Sequence, residues 1–202
     1  MKTKDRILEK SIDMFNERGI TKVTIRHIAA ELRISHGNLA YHFKNKEVII
    51  GEIYTRMADE MATAVYPGGD FSLLYLQTLL EMIRDFQCKY RFFYMDMLEI
   101  SRKYPAIISR YRETLKVRNA QFQQLIDHFI RKELLKSPPE EGYYLSLFHS
   151  IWTVLTFRLN EELILGEHHP YLKSGSAIKK AWEILLPHLT AAGEREYQTL
   201  NL

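Results

Sequence analysis

Apolar residues recur at helical spacing almost from the first residue of this chain. Ile7, Leu8, Ser11, Ile12 and Phe15 share one face of a helix predicted over residues 4–18, with Asp5, Glu9, Lys10, Asp13 and Glu17 elsewhere and Gly19 just past its end. Ile25, Ile28, Ala29 and Leu32 mark a second, short helix, with Thr24 before it as N-cap. Arg33 and Ile34 break the pattern, and Ser35 offers the next N-cap. Leu39 and Phe43 then face inward, while His36, Gly37, Asn38, Ala40, Tyr41 and His42 form an outward face that is small and polar near its start. Asn45 caps a further helix over residues 46–64, with Val48, Ile49, Ile53, Met57 and Met61 on its apolar side. The Pro- and Gly-containing stretch Tyr66 to Asp70 is the sharpest punctuation in the first half, and it divides the chain into domains 1–66 and 67–202.

Beyond that boundary the helices lengthen and become more aromatic. Leu73, Leu76, Leu79, Leu80, Ile83 and Phe86 form one stripe, a break falls near Lys89 and Tyr90, and Phe92, Phe93, Met97, Leu98 and Ile100 carry the pattern to Tyr104. Pro105 opens a long helix over residues 105–135 in the manner of an N1 proline, and Ser137, Pro138, Pro139 and Glu140 stop it. The next helix, over 139–165, is apolar almost all round between Tyr143 and Leu159. Such a helix must be covered on every side, and a second copy of the chain is the simplest cover for the side that the core does not use. A last helix is predicted over 176–189, ended or kinked by Pro187, and 190–202 reads as a frayed polar tail. Glycine and proline are scarce within the periodic segments, and no valine-rich alternation, internal repeat or low-complexity tract appears, so the fold class is all-α.

Two short helices joined by a turn of three or four residues suit a helix-turn-helix, whose second helix lies in a DNA major groove, but equally suit a hairpin that only packs. Charge separates the two. Residues 1–50 carry ten Lys/Arg and six Asp/Glu, net +4, whereas the whole chain has 28 and 25, net +3, leaving the remainder at net −1. The excess positive charge sits on the segment with the two-helix pattern, as binding to phosphates requires.

Composition narrows the rest. At 46% apolar and 26% charged residues the chain can build a core and is neither disordered nor membrane-spanning, and it has no run of ~18 apolar residues. The charged start lacks an apolar signal core, so the expected location is the cytoplasm. Cys88 is the single cysteine and reads as a buried small hydrophobe. No Gly-rich phosphate loop, G-x-S-x-G or H-E-x-x-H motif is present, which argues against an enzyme, and no cofactor is implied. Glu167, His168 and His169 read as a solvated loop rather than a metal site, because adjacent histidines diverge and no second ligand cluster completes the set. Glu161 and Glu162 read as a solvated face.

The stretch from Thr24 to Glu47 resembles the DNA-binding domain of the TetR family of bacterial transcriptional regulators. The residues that carry the resemblance are Thr24, Ile28, Ala29, Leu32, Ile34, Ser35, Gly37, Leu39, Tyr41, His42, Phe43, Lys46 and Glu47, preceded by Ile7, Leu8, Phe15 and Gly19. It covers roughly residues 4–60. Arg33 stands where that family usually has glycine, so a non-Gly residue would have to take φ > 0 there. Ala40 stands where it often has a tyrosine that touches the DNA backbone. The resemblance implies an N-terminal three-helix DNA-binding domain and a C-terminal helical domain, whose last two long helices form a four-helix dimer interface and whose middle helices enclose a ligand cavity.

The expected reading is a ligand-responsive transcriptional regulator, a repressor, that binds a palindromic operator in double-stranded DNA as a homodimer, with an apolar or amphipathic small-molecule effector and no membrane partner. Asn38, His36 and Tyr41 are the expected base or groove contacts, Arg26 can read guanine, Gly37 allows close approach, and His42 shares the face. Thr24, Lys44 and Lys46 are the expected phosphate contacts. Polar residues embedded in the apolar runs are Asp96, His149, Thr153, Arg158 and Asn160. The candidate ligand set is Asp96, His149, Trp152, Thr153 and Phe157. Two other classes stay open: a DNA-binding architectural or constitutive factor without effector, and a helical interaction protein of this fold that binds neither ligand nor operator.

Overall fold

The structure is a computed structural model that describes residues 2–64, 71–166 and 177–200. Its helices are α1 (Thr3–Lys22), α2 (Ile25–Glu31), α3 (His36–His42), α4 (Lys46–Ala64), α5 (Leu73–Lys89), α6 (Arg91–Met95), α7 (Met97–Lys103), α8 (Pro105–Arg131), α9 (Tyr143–Leu165), α10 (Ala177–Leu185), a 3-10 turn (Leu186–His188) and α11 (Ala191–Gln198). Among the described residues no strand forms; the one extended pairing is an isolated bridge between Leu135 and Leu189. No described helix is long and apolar enough to cross a membrane.

The chain divides into two compact units, one made of Met1–Ala64 with Lys89–Glu113, the other of Val65–Cys88 with Thr114–Leu202. In the first unit the periodic apolar face of α1 is buried where predicted: Ile7, Leu8, Ile12 and Phe15 join Leu39, Phe43, Ile49 and Ile53 in the core. Phe92 and Phe93 of α6 complete it, with the Phe15 and Phe92 ring centroids 5.3 Å apart and Phe93 stacked on Tyr54 at 5.5 Å. Tyr111 closes the aromatic cluster, and burial pushes its hydroxyl up to about 12. The first unit holds 17 Lys/Arg and 12 Asp/Glu, net +5; the second is net −2.

The second unit packs α10 along α9 around Phe129, Phe148, Leu155 and Trp182. Two of its buried polar side chains, Gln77 and Gln87, are held by hydrogen bonds. The Trp182 indole N–H donates to Gln77 Oε1 at 2.6 Å, and Gln87 Nε2 donates to Thr156 Oγ1 at 2.9 Å.

Several elements differ from the expectation. The helix predicted from Phe92 to Tyr104 is broken at Asp96 (φ −93°, ψ 15°) into α6 and α7. The helix predicted to reach Leu135 ends at Arg131, because Glu133 turns left-handed at φ 55° and Leu134 N–H returns to Phe129 O at 2.9 Å. Leu134 and Leu135 are nonetheless buried, which is why their pattern looks helical. The next helix starts at Tyr143 rather than 139, behind a left-handed Gly142 at φ 76°. Cys88 is exposed, contrary to its reading as a core residue.

The largest difference is at the C-terminus, where the predicted frayed tail is helix α11. Thr190 caps it by accepting from Gly193 N–H at 3.1 Å, and Thr190 N–H donates to Leu134 O at 3.1 Å. Gly193 lies so close to α8's end that a Cβ there would sit 2.2 Å from Leu134 O. Glu196 accepts from Leu73 N–H at 2.6 Å, placing a carboxylate at the N-terminus of α5, and Tyr197 lies 4.9 Å from the Trp182 ring. The partners Leu134 and Leu73 lie far upstream in sequence, so composition alone could not reveal them. The predicted turn at Tyr66 to Asp70, the loop with Glu167, His168 and His169, and the helix start at Ser176 lie outside the described residues.

Candidate nucleic-acid interface

Local hydrogen bonds shape the helix-turn-helix. Thr24 Oγ1 accepts from His27 N–H at 3.2 Å, and His27 Nδ1 accepts from Thr24 N–H at 3.4 Å, a capping box in which histidine takes the usual Glu or Gln role. Helix α2 ends with Arg33 N–H on Ala30 O and Ile34 N–H on Ala29 O, both at 3.0 Å, and Arg33 takes φ 55°. This is a Schellman closure, with arginine in the position that favours glycine, as the departure at Arg33 implied. Ser35 Oγ then accepts from Asn38 N–H at 3.1 Å to start α3, and Asn45 Oδ1 accepts from Val48 N–H at 3.0 Å to start α4.

Leu39 and Phe43 anchor α3 in the core, at 0% and 1% exposure. Their burial turns His36, Gly37, Asn38 and Tyr41 outward together; all four are exposed, Tyr41 to 86%, with His42 half-buried beside it at 5.2 Å between rings. Gly37 has room within the protein, since a Cβ would meet only Ser35 Oγ at 4.0 Å. Thr24, Arg26 and Lys44 are exposed.

Lys46 is placed otherwise than expected of a phosphate contact. Its Nζ donates to Ile20 O at 2.6 Å and to Val23 O at 2.9 Å, in a partly buried position. Burial, then Lys103, lowers its pKa, against the opposite pull of Glu99 and Asp96. The ammonium ties the start of α4 to the last turn of α1 and to Val23 between α1 and α2.

The five candidate ligand residues divide between the two compact units. Asp96 belongs to the first unit, where its Oδ2 accepts from Ile20 N–H at 2.7 Å. His149, Thr153 and Phe157 lie one helical turn apart on the exposed face of α9, with Trp152 half-buried. A separate cavity of about 20 Å³ in the second unit, room for about one water, is lined by Phe71, Tyr75, Leu79, Gln121, Phe122, Gln124 and Leu125. None of the five candidates lines it. No group of three or more His, Cys, Asp or Glu able to hold a metal ion occurs among the described residues.

Asn16 also holds the first unit together, without a signal in its own neighbourhood. Its Oδ1 accepts from Phe92 N–H at 3.0 Å, and its Nδ2 donates to Lys89 O at 2.9 Å. No local pattern signals this, because both partners lie more than 70 residues downstream.

Comparison with known proteins agrees with this geometry. Residues 7–53 match the family of bacterial regulatory proteins described as the tetR family, and residues 56–197 match a family described as a bacterial transcriptional repressor, TetR. A crystal structure of a TetR-family transcriptional regulator from Marinobacter aquaeolei VT8 superposes with a TM-score of 0.87 at 29% identity, covering 98% of this chain and 97% of that one. KstR2 of Mycobacterium tuberculosis, a ketosteroid transcriptional regulator, has the same fold, with a TM-score of 0.68 at 17% identity over 94% of this chain and 96% of its own. The HTH-type transcriptional repressor KstR2 of Mycolicibacterium smegmatis is 36% identical over 56 residues, which is 28% of this chain and 27% of that protein. The chain spans no more than about a third of the length of the curated relatives it matches.

Proposed function

Because this chain belongs to the TetR family of bacterial transcriptional regulators, we propose that it is a repressor that binds a palindromic operator as a homodimer and is released by a small-molecule effector. The observation that carries the DNA reading is the outward face of α3, where Asn38, His36, Tyr41 and Gly37 stand exposed on a helix anchored by Leu39 and Phe43. Side chains near the start of a recognition helix reach base edges, and Asn38 bonds adenine bidentately in this reading. Thr24 and Lys44 hold phosphates, and Arg26 approaches the same groove from α2. Residues 1–66 supply DNA binding, with 89–113 closing their compact unit, and the rest of 67–202 supplies effector binding and dimerisation.

Dimerisation is supported by the outer face of α9, where Phe157 and Ile164 are 58% and 76% exposed in the single chain. Apolar residues repeated along one helix face need a cover, and a second copy supplies it. The effector is apolar or amphipathic, matching the aromatic lining of the small cavity at Phe71, Tyr75 and Phe122 and the amides of Gln121 and Gln124 beside them. It enters by widening that cavity, which now has room for about one water.

The test is a titration of the wild-type protein against random duplexes and against a duplex it selects from a random-sequence pool. A regulator selects a common site and prefers it by ~10³-fold or more. Failure to enrich any sequence would remove the operator-binding reading, and failure to bind random duplexes as well would leave only the helical interaction protein.

A further inference from the structure

We infer that Asp96 is a positioning residue for the DNA-binding helices, acting through a relay from the α6–α7 break through the Ile20 peptide to Lys46. The inference rests on the DNA-binding reading and adds to it the means by which the helix-turn-helix is held.

The relay is built on one residue gripped at both ends. Gly19 leaves the helical path at φ 74°, ψ 156°, inside α1, and so frees the next backbone amide from the helix before it. Ile20 N–H then donates to Asp96 Oδ2 at 2.7 Å, a charge-assisted bond. The carbonyl of the same residue accepts from Lys46 Nζ at 2.6 Å, and that ammonium also takes Val23 O at 2.9 Å. Val23 directly precedes Thr24, the cap of α2, and Lys46 directly follows the turn that leaves α3. The relay therefore brackets the helix-turn-helix at its entry and its exit. A third contact, Thr21 Oγ1 to Glu99 Oε1 at 3.4 Å, runs parallel on α7.

Asp96 has little other reason to be an aspartate. It sits where α6 and α7 are interrupted, at φ −93°, ψ 15°, and its side chain makes no capping bond to α7. A carboxylate at that break offers its oxygen to the amide that Gly19 exposes. The space is matched too, since a Cβ on Gly19 would lie 3.4 Å from Asp96 Oδ2. A displacement of the α6–α7 break moves the acceptor of Ile20 and, through the same peptide, the anchor of Lys46. The segment from Lys89 to Glu113 thus sets the pose of α3 without touching DNA.

The experiment measures full-length Asp96→Ala, Asp96→Asn, Lys46→Met and the Asp96→Ala/Lys46→Met double variant on two duplexes, one selected by the wild-type protein and one random, with urea unfolding in parallel. Asp96→Ala should lower affinity for the selected duplex by about tenfold or more while changing random binding by less than about threefold, because pose matters to base contacts and little to phosphates. Asp96→Asn keeps an oxygen acceptor and should restore most of the preference. The double variant should be no worse than the poorer single one, because both changes open one relay. The inference is overturned if Asp96→Ala keeps the wild-type preference, if both duplexes weaken in step, if Asp96→Asn is as poor as Asp96→Ala, or if the two changes add. A wild-type protein that selects no duplex would instead remove the operator-binding reading itself.

Discussion

Arg33 shows how much of the site single residues reveal. The helix-turn-helix pattern demands a left-handed residue at this position, and the chain supplies arginine, which indeed takes φ 55°. A non-Gly residue there costs roughly 1–2 kcal/mol. Arg33→Gly should therefore stabilise the protein by up to about 1 kcal/mol in urea unfolding, after glycine's greater unfolded entropy is discounted. An unchanged or lower midpoint would mean that arginine's side chain compensates. Asn38→Ala tests the other side of the motif. Its backbone N–H still reaches Ser35 Oγ, so the helix start survives and only the side chain is lost. We expect a cost of ~1–3 kcal/mol on a selected duplex and little on random DNA; equal losses on both would reduce Asn38 to helix support. Thr24, Ser35 and Asn45 are legible as caps because a cap bonds within three residues of itself. Lys46 is not, since the carbonyls it holds lie 23 and 26 residues upstream. Its position at a helix start suggests a phosphate, and its burial directs the ammonium to the backbone instead.

Among the elements, two glycines in helices make opposite predictions. Gly193 in α11 lies against Leu134 O, and Gly193→Ala must push that helix away. A loss of about 1–3 kcal/mol is expected, the usual range for overpacking. Gly51 in α4 has open space where a methyl group would stand, with nothing within 4 Å, so Gly51→Ala should instead add about 0.5–1 kcal/mol by helix propensity. Thermal unfolding of both variants beside the wild type checks the pair, and a stabilised Gly193→Ala would show that α11 is loosely held. Helices with a regular apolar face, such as α1 and α5, are readable to within a few residues. Breaks made by tertiary contacts are not: the Asp96 interruption, the left-handed Glu133 and the docking of α11 all depend on partners far along the chain. The all-round apolar pattern of α9 is readable as a need for cover on two sides, but not as which residue faces which side. Leu155 is buried in its own unit at 3% exposure, while Phe157 is 58% exposed.

For the whole molecule, that distinction decides how to test assembly. Leu155→Glu would place a charge in the protomer's core and should give misfolded protein, whereas Ile164→Glu and Phe157→Glu should give folded monomers. Light scattering at micromolar concentration, with circular dichroism for folding, separates the cases. A wild-type protein that stays monomeric and soluble would remove the dimer from the proposed function. Charge also divides between the compact units, net +5 against −2, more sharply than the first 50 residues alone suggest, because Lys89–Glu113 adds six basic and three acidic residues to the first unit. The same segment supplies Phe92 and Phe93 to the core, and it holds Asn16 and Ile20 by their polar atoms. The DNA-reading head is consequently not a cassette that can be cut out at the end of α4 and spliced elsewhere. Transplanted as residues 1–64, it would carry away Phe15 and Tyr54 without the rings they pack against, so a working chimera must bring along 89–113 or a substitute shaped like it.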